Sequence, residues 1–338
     1  MTTRERVQKI LRFEKPDRLP VFEHAPYWDQ TLSRWHAEGL DPAIQTDDDV
    51  RRYFGLDIHR GVDTLYFAPQ CPSLANIDLN EKTYDEIRPH LFPTNAVSAR
   101  SREMERIARE QQDGTPVYLG QFGFFWFPRM LFGIEPHLYS FYDEPRLYHR
   151  ICQDTLAFNI RCLEETCQFF VPDLFILSED MSYNSGPMIS EALFNEFLLP
   201  YYLELSKVLK KYKIPFAVDS DGQIEPMIPW LTKGHVDGIW PMEVHAGVDV
   251  HRVRANYPRL LLFSGFAKMT IAQSPEAMEA EFQRLLPILK MGGFIPSCDH
   301  QTPPSVSMEQ YKAYVGMAHK YARLACIRAE PGFSCCES

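Results

Sequence analysis

Gly292-Gly293-Phe294-Ile295-Pro296-Ser297-Cys298-Asp299-His300 is the stretch on which the fold turns. A strand pattern, Phe294 to Ser297, stops at a thiol, a carboxylate and an imidazole in consecutive positions. A helix signal follows, Thr302-Pro303-Pro304-Ser305 and then Met308-Glu309-Gln310-Tyr311. Three side chains able to bind a metal or move protons therefore sit where a strand ends and a βα loop begins. Parallel α/β barrels build their active sites at that end of the strands. Taken singly, Asp299 and Ser305 read as turn and cap residues and Cys298 as core. The cluster as a whole favours function.

The chain around this stretch alternates in the same way. Strand signals fall at Val117–Phe122, Leu174–Ser178, Pro215–Val218, Asp237–Pro241, Leu260–Phe263 and Phe294–Ser297, with helical patterns between them. The late strands are continuous apolar runs, as strands covered on both faces require. Helices between successive strands imply parallel pairing. Earlier, Arg18 to Glu23 reads as a first strand and Asp57–Tyr66 as a second, in a hairpin. Eight such units predict a (β/α)₈ TIM barrel, α/β in class, with an N-terminal excursion of extra helices and a hairpin. We read residues 1–338 as one domain, 1–80 as the N-terminal elaboration and 330–338 as a mobile tail. No G-x-G-x-x-G follows a strand and no P-loop is present, which argues against a nucleotide site.

The 338 residues carry a net charge of −10. That charge argues against nucleic acid or an anionic membrane surface as partner. The eight cysteines form no C-x-x-C pair, the N-terminus has no signal-peptide core, and no run approaches a membrane span. The reading is a cytoplasmic protein with free thiols and a small-molecule substrate. A homo-oligomer is compatible with it.

Polar residues recur where the late strands end: Glu179-Asp180, Asp219-Ser220-Asp221, Glu243, Ser264-Gly265 with Lys268 beyond, and Cys298-Asp299-His300. In a closed barrel these ends converge on one mouth. The alternative is capping, for which Asp219 and Asp221 suit a helix at Ile224–Lys233. Capping does not explain five consecutive strands ending this way. His24 and Tyr27, after the first strand, and Gln121, after the third, are expected to line the same cleft.

Several segments resemble uroporphyrinogen-decarboxylase-like proteins. They are Thr3-Arg4-Glu5-Arg6-Val7, Arg12-Phe13-Glu14-Lys15-Pro16-Asp17-Arg18-Leu19-Pro20-Val21, Gly186-Pro187-Met188-Ile189-Ser190 through Phe197-Leu198-Leu199-Pro200-Tyr201-Tyr202, and Gly292 to Pro296. The resemblance implies a (β/α)₈ barrel with a deep cleft at the C-terminal strand ends. It spans a superfamily of decarboxylases and cobalamin-dependent methyltransferases. True decarboxylases carry a Met-Arg-Gln-Ala-Gly-Arg segment after the first strand, whose arginines hold the carboxylates of the substrate. Here Val21 leads to Phe22-Glu23-His24-Ala25-Pro26-Tyr27-Trp28, without an arginine. A substrate with many carboxylates needs cations to offset its desolvation.

The methyltransferase branch holds zinc with a His-x-Cys pair, a glutamate and a later cysteine. Matched by position, these become Asp219-x-Asp221, Glu243 and Cys298. Harder oxygen donors bind zinc less tightly and tolerate manganese or iron better. The resemblance thus implies an enzyme moving a methyl group between a small methylated compound and a corrinoid protein or thiol. Asp219, Asp221, Glu243 and Cys298 would hold a metal. Glu179, Asp180 and His300 would act as acid, base or orienting groups, and Lys268 and Asp299 would bind substrate. Two other readings are a decarboxylase of a tetrapyrrole or smaller carboxylate, and a non-catalytic corrinoid- or tetrapyrrole-binding protein.

Overall fold

The computed structural model describes residues 1–74 and 77–327. The expected mobile tail at 330–338 lies outside the described residues. Seven strands form one curled parallel sheet: β1 (Arg60–Asp63), β2 (Val117–Phe122), β3 (Leu174–Ser178), β4 (Phe216–Asp219), β5 (Gly238–Trp240), β6 (Leu261–Phe263) and β7 (Phe294–Ile295). Their order in the sheet is their order in the chain, and every neighbouring pair is parallel. Long helices occupy the crossovers and cover the sheet, among them Pro145–Thr166, Leu199–Tyr212 and Pro275–Met291. Their boundaries follow local chemistry. Ser274 caps Pro275–Met291 just before its N-terminal proline. Ser307 and Gln310 form a capping box on the final helix, Met308–Leu324. Among the described residues no helix is long and apolar enough to cross a membrane.

Two N-terminal expectations are corrected. Arg18–Glu23 is not a strand. The amide of Val21 donates to the Asp57 carboxylate (2.8 Å), and the amide of Leu19 donates to Ala322 O in the last helix (3.0 Å). Pro20 has no amide hydrogen to give, so no ladder forms along this segment. The predicted hairpin at Asp57–Tyr66 is also absent. Arg60–Asp63 pairs in parallel with β2, and Phe67 bridges separately to Leu91. The sheet therefore has seven paired strands. The Arg18–His24 segment meets both of its ends: Asp57 N donates to Val21 O just before β1 (2.9 Å), and His24 Nδ1 meets Ser297 Oγ just after β7 (3.0 Å).

Strand alternation decides what faces inward. His59, Gly61 and Asp63 come inward at β1, Tyr118 and Gly120 from β2, Ile176 and Ser178 from β3. Ser178, Asp219 and Trp240 are register partners across β3, β4 and β5, so they form one lateral row. A Cβ at Gly61 would meet only open space, and one at Gly120 would crowd the Asp63 carboxylate at 2.9 Å. The two glycines thus keep this wall low and the cavity wide.

Candidate active site

A cavity of about 440 Å³ opens at the C-terminal ends of the strands. Of the twelve expected site residues, six line it: His24, Asp219, Asp221, Cys298, Asp299 and His300. Asp219 ends β4 and accepts a hydrogen bond from Ser178. Burial, with Asp221 and Asp180 nearby, pushes its carboxyl up to about 7. His300 Nε2 lies 3.6 Å from Asp221 Oδ2. That partner raises the imidazole pKa. Neither Asp219 nor Asp221 caps the following helix, which begins at Ile228 behind a 3₁₀ turn without a side-chain cap. Asp299 is buried and accepts from the amides of His245 (3.3 Å) and Lys268 (3.2 Å). It therefore fixes two rim loops, and burial raises its pKa. Asp221→Asn should move the His300 titration midpoint to lower pH, read by NMR of the ring protons. An unmoved midpoint would show that other carboxylates hold the imidazolium.

The other six lie elsewhere. Glu179 is fully buried behind the wall. Its Oε1 accepts from Phe124 N (3.0 Å) and the Tyr202 hydroxyl (2.8 Å), and its Oε2 from Phe125 N (2.7 Å) and Trp126 N (3.2 Å). It thereby caps the helix Trp126–Phe132, whose N-terminus favours negative charge. Burial nevertheless pushes it up to about 7. A Cβ at Gly123 would overlap this carboxylate, so the cradle needs glycine there. Asp180 sits in the left-handed region (φ 44°) and pairs with Arg129 at 3.1 Å. Glu243 accepts from Gly222 N at 2.7 Å. Lys268 stands on the rim, its amide on Asp299. Gln121 points to the helix layer, donating to Asn159 O at 3.1 Å, because its odd position on β2 faces away from Tyr118 and Gly120. Tyr27 is packed on Trp35 and shares a 2.7 Å hydroxyl contact with Tyr311.

The expected metal ligands do not converge as arranged. Cys298 shares hydrogen bonds with Glu23 and Tyr314, within a buried group that includes Tyr27 and Tyr311. Burial pushes this thiol well up, and Glu23 up to about 7. Glu243 is committed to Gly222 and Asp221 to His300. Among the described residues no three His, Cys, Asp or Glu side chains are placed to hold one ion.

Three contributors went unread in the sequence: His59, Tyr118 and Trp240. His24 packs on Trp240 (ring centroids 4.3 Å) and His59 on Tyr118 (5.4 Å). Burial drives His24 well below its ordinary pKa and His59 down to about 3, so both are neutral at physiological pH. The inward alternation His59-x-Gly61-x-Asp63 and Tyr118-x-Gly120 was the available signal.

A curled parallel sheet of seven strands, a half-barrel, with a cavity at the C-terminal strand ends defines an α/β protein whose candidate site lies where parallel α/β folds commonly place one. Residues 61–321 match the uroporphyrinogen decarboxylase (URO-D) family, and the chain belongs to that family. Comparison with curated proteins gives no match. Among solved structures the chain is similar to a methyltransferase from Methanosarcina mazei, with a TM-score of 0.65 at 14% identity over 95% of this chain and 99% of that one. At that identity the likeness is one of fold.

Proposed function

We propose that this member of the URO-D family is a methyltransferase, moving a methyl group from a small methylated compound to a corrinoid protein or a thiol. One observation carries the reading. The cavity wall holds Asp63, Asp219, Asp221 and Asp299, and no lysine or arginine. A polycarboxylate entering it would be desolvated against four aspartates, with only His300 on the wall and Lys268 beyond it to offset the charge. The same charge disfavours decarboxylation of a tetrapyrrole or smaller carboxylate. It suits a donor that is neutral or cationic.

The chemistry follows from the groups present. A methyl group leaves a heteroatom readily when that heteroatom carries, or acquires, positive charge. The bonding pair stays on the heteroatom and the methyl goes to the acceptor. Asp219, protonated near neutrality, can supply a proton to a neutral donor, and as carboxylate it can face a cationic one. The His300–Asp221 pair holds a second proton beside it. A corrinoid on a partner protein would supply the methyl-accepting centre. The apolar side chains exposed on the rim loops, Trp28, Leu65, Tyr183 and Met269, suit such a partner. The donor set does not fit zinc, manganese or iron as arranged, so no step here uses a metal.

The test is a panel of O-, N- and S-methylated compounds with a reduced corrinoid or a thiol as acceptor, and uroporphyrinogen III in parallel. We expect methyl loss from one class of donor and no carbon dioxide from uroporphyrinogen III. Decarboxylation of uroporphyrinogen III at rates typical of the family's decarboxylases would sink the proposal.

A further inference from the structure

The inner end of the cavity is built for a ligand that its own side chains do not satisfy. His24 is 8% exposed, His59 8% and Tyr118 2%, and all three line the cavity. Yet among the described residues His24 Nε2, His59 Nδ1 and the Tyr118 hydroxyl have no hydrogen-bond partner. Buried polar atoms are ordinarily paired, and leaving one unpaired costs free energy comparable to a lost hydrogen bond. Their orientation can be read further. Ser297 Oγ donates onward, to Ser264 Oγ (3.1 Å) or Cys298 O (3.2 Å). When Ser297 donates onward, His24 Nδ1 donates to Ser297 and Nε2 is an acceptor; in the other tautomer Nε2 is a donor, and in either case it lacks a partner among the described residues. The partner these atoms suit is therefore a group that both donates and accepts a hydrogen bond, as a hydroxyl does.

Beside these atoms stand aromatic rings. The Tyr118 and Trp240 rings are nearly perpendicular (84°) with centroids 6.5 Å apart, and His24 lies 6.4 Å from Tyr118. Phe263 stacks on Trp240 at 5.5 Å and holds it in place. Asp219, the register partner of Trp240, adds a carboxylate directly alongside. Electron-rich ring faces next to carboxylates attract organic cations, and quaternary ammonium groups above all.

We propose that the cavity binds a small methylated ammonium compound bearing an uncharged hydroxyl arm, the ammonium among Tyr118, Trp240 and Asp219 and the hydroxyl on His24 and Tyr118. This deepens the methyl-transfer reading, on which the ligand's role as donor rests. A quaternary nitrogen already carries the charge that lets a methyl leave. The departing amine is neutral and needs no proton. An anionic arm is less suited, because among the described residues no lysine or arginine lines the cavity; Arg51, which acts on His24 and His59 from behind, is already committed to Glu23 O and Asp48.

Calorimetric titration tests this on the full chain with three probes: choline, tetramethylammonium, and the neutral carbon isostere of choline. We expect choline to bind at least about tenfold more tightly than the isostere. Tyr118→Phe should weaken choline by about fivefold or more, toward the affinity of tetramethylammonium, since only the His24 contact to the hydroxyl remains; an unchanged affinity for choline overturns the hydroxyl assignment. Equal affinity for choline and its isostere, or no saturable binding of choline, overturns the proposal whatever the variant does. Failure here is distinct from failure of the methyl-transfer reading. Choline that binds but loses no methyl group, with no other donor of the panel reacting, retires methyl transfer and leaves the ammonium site standing. Methyl loss from an ether or thioether, without binding of either cation, retires the ammonium site alone.

Discussion

Asp219→Asn should lower kcat/KM for methyl transfer by about 10²-fold or more, and at the same time make the protein more stable at pH 8. The first effect follows from removing a group that both holds a proton and carries charge at the reacting centre. The second follows from linkage. Folding raises the Asp219 pKa from 3.8 to about 7, because burial and the neighbouring Asp221 and Asp180 oppose its ionisation. Between those values the native state binds more protons than the unfolded chain, so stability falls as pH rises. The contribution of Asp219 is intact below pH 4 and lost as pH climbs through 7. Asparagine has no such loss. The variant should match the parent at pH 4 and exceed it above pH 7, by about 1–2 kcal/mol given the access of water to this wall. Denaturant titrations at both pH values decide it. A variant that is less stable at pH 8 would show that Asp219 is paired rather than crowded.

Glu179→Gln should do the reverse and cost stability at once. Glutamine is isosteric, but its NH₂ must face two donors. They are either Phe124 N and the Tyr202 hydroxyl, or Phe125 N and Trp126 N. Buried donors left unpaired cost about 1–3 kcal/mol each, so a loss of about 3 kcal/mol is expected. It should appear as a drop of several degrees in Tm, with weakened protection of the amides of Phe124 to Trp126 in hydrogen exchange. If Glu179 were instead a catalytic group, the variant would keep its Tm and lose only turnover.

The later half of the sheet was legible because each strand is a short apolar run between helical patterns. Leu174–Ser178 emerged with its predicted bounds, and β4 to β7 within two residues of theirs. The N-terminal part was not, because Arg18–Glu23 is apolar and extended without being paired. Pro20 and the Asp57 carboxylate break the ladder, and sequence periodicity reports only burial. The site divides in the same way. Residues just after strands β4 and β7 did reach the cavity. Glu179 follows β3, but its partners, Phe124 to Trp126, lie more than fifty residues earlier in the chain. A carboxylate paired with backbone amides leaves no residue-type signature. Only Gly123 hinted at it. His59 was hidden inside a supposed hairpin, where its inward face could not be assigned.

The Arg18–His24 segment joins the two ends of the sheet, and that arrangement sets an order on synthesis. His24 needs Ser297 to hold its ring, and Leu19 needs Ala322 in the last helix. Both partners are made well after the segment itself, Ser297 being 273 residues after His24 and Ala322 303 after Leu19 (322 − 19). Until Ser297 and the last helix are made, the Arg18–His24 segment lacks both of these partners. A fragment cut short before Ser297 therefore lacks the hydrogen bond that orients the His24 ring.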